Sequence, residues 1–322
     1  MTLGGRQIPA WLVRLGQAGL SLGLLVLIWR AVDGAAAARS LKSAQWGWLT
    51  LGLVLLSLQT LLSALRWQLT ARHLGIALGT RQALGEYYLS QVVNQSLPGG
   101  MIGDAGRAVR SRGGAGLMAA GQAVVFERLA GQIAMFATLG TAFVATLAVP
   151  GGLDWPGWVA APVAGVLAVG LCLPVLAQGA THLPGRAGAT ARQMRADFLR
   201  SVAARPVLAG QIVLSLGTTL CNLAAFAACA RAVGVDLGLS ATAALVPVIL
   251  FTMLIPVSIS GWGLREGAAA GLLPIAGVSA SGGLAASIAF GLVLIAAVSP
   301  GLVLVWITPR QEARGTGQLT PP

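Results

Sequence analysis

Long apolar runs, each near the length of a bilayer-crossing helix, alternate along the chain with short bursts of arginine. A helix needs about 20 mostly apolar residues to cross the hydrocarbon core. Stretches 15–32, 47–65, 129–149, 157–177, 207–230 and 284–307 meet that length. Stretches 83–97 and 241–256 are shorter or more polar, and a proline closes each. The pattern predicts an all-α polytopic membrane protein, with residues 1–322 as a single transmembrane domain. The first run follows Arg6 and Arg14 and precedes Ala35-Ala36-Ala37, so it could pass for a cleaved signal peptide. A retained helix is the preferred reading, because an internal repeat between the two halves uses it.

Composition agrees with the pattern. Of 322 residues, 56% are hydrophobic and only 9% charged, against about 25% charged in an ordinary soluble domain. The net charge of +12 does not point to nucleic acid, because the basic residues do not line one solvated face. With the N-terminus in the cytoplasm, the inner segments hold Arg6, Arg14, Arg66, Arg72, Arg81, Arg107, Arg110 and Arg112. They also hold Arg186, Arg192, Arg195, Arg200, Arg205, Arg310 and Arg314. The outer segments hold only Arg30, Arg39, Lys42 and Arg231. The positive-inside rule then expects both termini in the cytoplasm, in a bacterial inner membrane. Cys172, Cys221 and Cys229 lie within apolar runs, and neither they nor His73 and His182 have metal-ligand spacing.

The arginine count closes only if 83–112 returns to the side it left and 241–277 does the same on the other side. Each is therefore expected to be a re-entrant helical hairpin, broken at Pro98 or Pro256 and opened by Gly99, Gly100 and Gly103 or by Gly261 and Gly263. The halves also match in spacing. Arg72, Gly75 and Gly79 correspond to Arg231, Gly234 and Gly238, and Pro98, Gly103 and Arg107 correspond to Pro256, Gly261 and Arg265. Repeats 15–149 and 157–307 start on opposite sides, which makes an inverted-topology repeat of the kind found in transporters. Residues 178–206 form a basic cytoplasmic connector, and 308–322 a flexible C-terminal tail.

Candidate chemistry gathers at the breaks. Asp104 is placed to cap the outgoing helix, with Arg107 one turn on. A helix start beside an arginine favours phosphate. Asn94, Gln95, Gly100 and Arg107 in the first break, and Ser258 and Arg265 in the second, are thus the candidates for a lipid headgroup. The plainer alternative is a capped turn with Arg107 reaching the interface and Asn94 and Gln95 satisfying freed backbone. Arg265 and Glu266 are neighbours on a helix, as are Glu127 and Arg128, so each is expected to find a partner elsewhere. The expected pairs are Glu127 with Arg265 and Arg128 with Asp104, with Glu127 or Glu266 as a proton-coupling group. Trp262 is expected to anchor at the membrane interface. No catalytic constellation, metal site or cofactor site is visible, so an enzyme is not expected.

These residues resemble the lysylphosphatidylglycerol synthase transmembrane domain family, also called flippase-like or uncharacterised protein family 0104. The resemblance rests on Asn94-x-x-x-Pro98-Gly99-Gly100-x-x-Gly103-Asp104-x-x-Arg107, then Glu127-Arg128, then Pro256-x-Ser258-x-x-Gly261-x-Gly263-x-Arg265-Glu266. It spans roughly residues 11–310. It implies a flippase-like protein whose partner is an anionic membrane lipid, a phospholipid or polyprenyl phosphate. It also implies work beside a glycosyltransferase or a lipid-synthesis enzyme. Only fifteen residues follow Ile307, so lysyl transfer is not expected. The expected function is movement of an anionic headgroup across the inner membrane. Two rivals are a non-catalytic scaffold for a lipid-linked glycosyltransferase and a lipid-modifying membrane enzyme. The lipid, the direction and the oligomeric state are left open.

Overall fold

The computed structural model describes residues 2–3, 6–7, 10–97, 101–149 and 153–307. Pro98, Gly99 and Gly100, with the tail 308–322, lie outside the described residues. Thr2–Leu3 (β1) and Arg6–Gln7 (β2) pair antiparallel, and everything else that is regular is helical. The first half contains α1 (Ala10–Ala31), α2 (Gly34–Lys42), α3 (Trp46–His73), α4 (Thr80–Ser96), α5 (Ile102–Ser111) and α6 (Gly116–Ala148). The second contains α7 (Gly157–Ala180), α8 (Gly185–Phe198), α9 (Arg205–Ala232), α10 (Leu239–Phe251), α11 (Leu264–Leu272), α12 (Ala280–Val298) and α13 (Pro300–Ile307).

Among the described residues, five helices are long and apolar enough to cross a membrane, and six if α1 and α2 count as one span bent by 99°. The chain is therefore a multi-pass membrane protein. The bend was not expected from the sequence. It follows from Asp33, which accepts the Ala36 N–H at 2.9 Å and so starts a new helix directly after the expected span 15–32.

α3 and α9 form the central pair. Gln45 donates to the Ala232 carbonyl, Leu62 faces Gly217, Arg66 meets Thr218, and Thr70 meets Gln211. One number falls as the other rises, so the two helices run antiparallel. Each has 28 residues, and they end alike. Leu74 and Val233 close them at φ −97° and −96°. Gly75 and Gly234 follow in the left-handed region at φ 82° and 83°, which suits glycine because it has no Cβ. Ile76 and Val235 then donate back to Ala71 and Ala230, each at 3.0 Å.

α4 ends at Ser96, and Leu97 turns extended (φ −116°, ψ 143°) as a residue before proline must. The second break starts earlier than Pro256. α10 stops at Phe251, a 3₁₀ turn spans Thr252–Leu254, and Ile255 is the extended residue before the proline. Helix resumes only at Leu264, after Gly261 and Gly263 at φ 80° and 88°. α1 lies against this break. Gln17 donates to the Pro256 carbonyl, and the Ser21 hydroxyl accepts the Ile259 N–H.

Apolar burial falls into two clusters. One joins α3's first half to α9, α10, α11 and α12; the other joins α3's second half to α4, α5 and the start of α6. A polar layer lies between them.

Candidate functional site

That layer encloses a cavity of about 220 Å³. Its walls are single stripes of helices otherwise built for lipid. Gln59, Ser63 and Arg66 come from α3, and Tyr87, Ser90, Gln91 and Asn94 from α4. Glu127, Arg128 and Gln132 come from α6, and Thr218, Thr219 and Asn222 from α9, with Asp104 at one end. Spacings of three, four and seven link most of these residues along one broad face of each helix. The α3 and α9 residues sit near the middle of helices about 42 Å long at 1.5 Å per residue, so the cavity lies deep within the spans.

Glu127 is the hub, fully buried on α6. It accepts Arg66 Nη2 at 2.6 Å and Nε at 3.2 Å, the Tyr87 hydroxyl at 3.3 Å and Arg107 Nη2 at 3.3 Å. Arg66 also donates to Thr218 on α9 at 2.9 Å, which ties the two halves together. Asp104 is the second hub. It takes Arg107 Nη2 at 3.0 Å, the Ser90 hydroxyl at 2.9 Å, Asn94 Nδ2 at 3.3 Å and the Arg128 guanidinium. Arg107 lies behind the wall at 1% exposure, between the Trp67 and Tyr87 rings with its central carbon 4.5 Å from each centroid. A desolvated guanidinium over a ring face gains about 2 kcal/mol or more, which helps hold a charge at that depth. Arg128 stands at the rim with 38% of its side chain exposed.

Several expectations change. Arg128 meets Asp104, as the sequence suggested, but Glu127 pairs with Arg66 and Arg107 rather than with Arg265. Arg66, counted as a cytoplasmic-rim charge, is a buried member of the cluster. Asp104 does not cap α5. Met101 holds the cap position with no side-chain bond, and Asp104 turns its carboxylate into the cluster from the first turn. Gly103 packs directly on the Ser90 carbonyl and donates to Asn94 Oδ1 at 2.8 Å. Gln95 is half-buried beside Asn94 but points away from the cavity.

The second break makes a separate, closed cluster. Arg265 and Glu266, read as pointing apart, pair directly: Nη2 and Nε of Arg265 donate to Glu266 Oε1 at 2.5 and 3.0 Å. The reason is local. Glu266 sits in the first turn of α11 and curls back so that Oε2 accepts the Gly263 N–H at 2.7 Å, leaving Oε1 toward the arginine fork. Ser287 of α12 closes the ring at 3.0 Å from Glu266 and 3.1 Å from Arg265. Trp262 covers Arg265, with the guanidinium carbon 5.0 Å from the ring centroid. Arg265 and Ser258 are both buried outside the cavity, and Pro256 is exposed.

The sequence reading missed Gln59, Ser63, Arg66, Tyr87, Ser90, Gln91, Gln132, Thr218, Thr219 and Asn222. Their signal was present: polar residues recurring at helical spacing inside apolar runs, where a lipid-facing residue would cost free energy. Among the described residues, no group of His, Cys, Asp and Glu is placed to hold a metal ion.

No curated protein and no solved structure matches the chain. The family model described as the lysylphosphatidylglycerol synthase TM region matches residues 14–300, and the chain belongs to that family.

Proposed function

We propose that the chain moves the headgroup of an anionic lipid between the leaflets of a bacterial inner membrane. The observation that carries this reading is the charge of the buried cluster in and behind the wall of the mid-span cavity. Three guanidinium groups (Arg66, Arg107, Arg128) face two carboxylates (Glu127, Asp104), leaving one positive charge in excess. Uncompensated charge at such depth is costly, and an anion entering the cavity relieves it. The lipid tail stays in the bilayer, so only the headgroup needs a polar path.

On this reading the halves are inverted-topology repeats, with both termini cytoplasmic and re-entrant breaks after α4 and α10. The antiparallel α3–α9 pair and its two matched turns support that arrangement. α8 carries the basic connector on the cytoplasmic side, docked where Asp197 accepts Gln122 of α6. Transport is downhill: Glu127 and Glu266 are both engaged by arginine, so neither offers a free carboxylate for proton coupling.

The test is a leaflet-exchange assay on proteoliposomes that carry tail-labelled phosphatidylglycerol. Wild-type protein speeds dithionite bleaching of the inner leaflet over protein-free vesicles. Arg128→Ala, at the rim and paired with Asp104 but not with Glu127, slows the exchange at least about tenfold, the worth of one charge-assisted contact. Exchange no faster than in protein-free vesicles ends the transport reading and favours the scaffold.

A further inference from the structure

The connector between the halves carries charge that the folded chain does not use. Residues 181–204 contain Arg186, Arg192, Arg195 and Arg200 against a single acid, Asp197, and Arg205 follows at the start of α9. All of these arginines are exposed, whereas Asp197 is buried. The acid is spent inside: it accepts Gln122 Nε2 of α6 at 3.2 Å, Gln193 Nε2 at 3.1 Å and Arg200 Nη2 at 2.7 Å. Beside it Phe198 meets Phe126 edge-on at 5.3 Å, and Val202 is buried in the second apolar cluster. The inner face of α8 and of the turn after it is thus fixed, and the outer face is left with positive charge only.

Position decides what that face meets. α7 and α9 are both long and apolar enough to span, and the polar connector joins the end of one to the start of the other. Two contacts keep the connector level with those ends. Arg192 Nη1 donates at 2.7 Å to the carbonyl of Thr181, the residue that closes α7. Gln211, in the second turn of α9, donates to the Ser201 carbonyl at 3.2 Å. α8, about 21 Å long at 1.5 Å per residue, therefore lies along the membrane surface instead of projecting from it. Arginines held at that level reach headgroup phosphates within the ~8 Å over which physiological salt leaves charges unscreened. Leu183, Met194 and Leu199 are exposed among them, and apolar side chains interleaved with basic ones suit the boundary between headgroups and acyl chains.

We infer that α8 and the turn after it dock on the anionic lipid headgroups of the leaflet on their side, recognising charge and not headgroup structure. Arg186 and Arg195 hold phosphates, with Leu183, Met194 and Leu199 entering the boundary below. Arg200, offset by Asp197, contributes little.

The experiment is hydrogen–deuterium exchange of the full chain in nanodiscs, read over residues 185–198. The discs are phosphatidylcholine alone, or its equal mixture with phosphatidylglycerol or with phosphatidylserine. Both anionic mixtures are expected to slow these amides about tenfold, the scale of two basic residues meeting a charged surface. Molar salt restores the neutral-disc rate. Arg186→Gln/Arg195→Gln exchanges in anionic discs as the wild type does in neutral ones. Arg81→Gln/Arg112→Gln, which removes the same charge from exposed positions elsewhere, keeps the protection. The wild-type composition and salt series decides the matter even if a variant fails to fold. Equal exchange in neutral and anionic discs overturns the inference, and so does equal loss of protection in both variants. Protection by phosphatidylglycerol with none by phosphatidylserine also overturns it, since that marks a headgroup-selective site. The readout needs no lipid movement, so a failed leaflet-exchange assay ends the transport reading and leaves this surface standing.

Discussion

Glu127 and Glu266 are both fully buried, yet their surroundings give them different tasks. Glu266 faces one arginine, one serine and a backbone N–H in a closed ring of hydrogen bonds. Glu127 faces two arginines and a tyrosine at the edge of an open polar space. Removing one partner of a buried ion pair costs about 3–5 kcal/mol, because the other charge is left stranded. Glu127→Leu strands Arg66 and leaves Arg107 with Asp104 alone, and is expected to fall in that range. Arg66→Met costs less, since Arg107 still holds Glu127. The double variant loses less than the two losses added, measured by unfolding in detergent. Strict additivity would mean the two side chains are not coupled. Arg66 also shows why sequence reading stopped short here. Counting arginines near span ends assigns it to the rim, whereas its place in the stripe with Gln59 and Ser63 turns it inward. Adjacent residues do diverge in a helix interior, but Glu266 lies in a first turn, where an acid bends back to the free N–H groups.

Helices α4 and α5 meet closely because Gly103 has no side chain. A Cβ there would collide with the Ser90 carbonyl, which is backbone and cannot swing aside. At Gly106, one turn on, the obstacle is the flexible end of Arg110. Gly103→Ala is thus expected to cost about 1–3 kcal/mol by overpacking and to lower lipid exchange, since Asp104 and Asn94 move with the contact. Gly106→Ala is expected to be neutral, or to gain about 0.5–1 kcal/mol from helix propensity. Equal thermal stabilities for the two variants would refute the close approach. At this scale the sequence was informative where chemistry is local. The long apolar runs became helices α1, α3, α6, α7, α9 and α12, and the prolines marked both interruptions. What stayed hidden depends on partners: the bend at Asp33, the early end of α10, and the face that each helix turns to the cavity. Hydropathy records how apolar a run is, and a few polar residues on one side barely change it.

Two turns of nearly identical geometry, 74–79 and 233–238, follow antiparallel helices of equal length. A local turn carries no information about which side of a bilayer it occupies; the helices before it do. If α3 and α9 both span, their C-terminal ends must lie on opposite faces, whatever the orientation of the whole. Arginine bias then assigns the faces. On the proposed orientation His73, at the end of α3, is expected in the cytoplasm with Arg72 and Arg81, and Asp236 outside. Both residues are exposed, and the Arg231–Asp236 pair is a surface contact worth little, so either can be replaced without disturbing the fold. With Cys172, Cys221 and Cys229 changed to alanine, His73→Cys and Asp236→Cys give two single-thiol proteins. A membrane-impermeant maleimide applied to intact spheroplasts is expected to label the second and not the first, and to label both after lysis. Labelling of both before lysis would put the two turns on one side and break the inverted arrangement. Labelling of the first alone would keep the arrangement and reverse its orientation. The cavity is built from both halves at the depth where α3 and α9 cross, so opposite faces for these turns set it midway between two aqueous sides, where a headgroup must pause if it is to leave by the other.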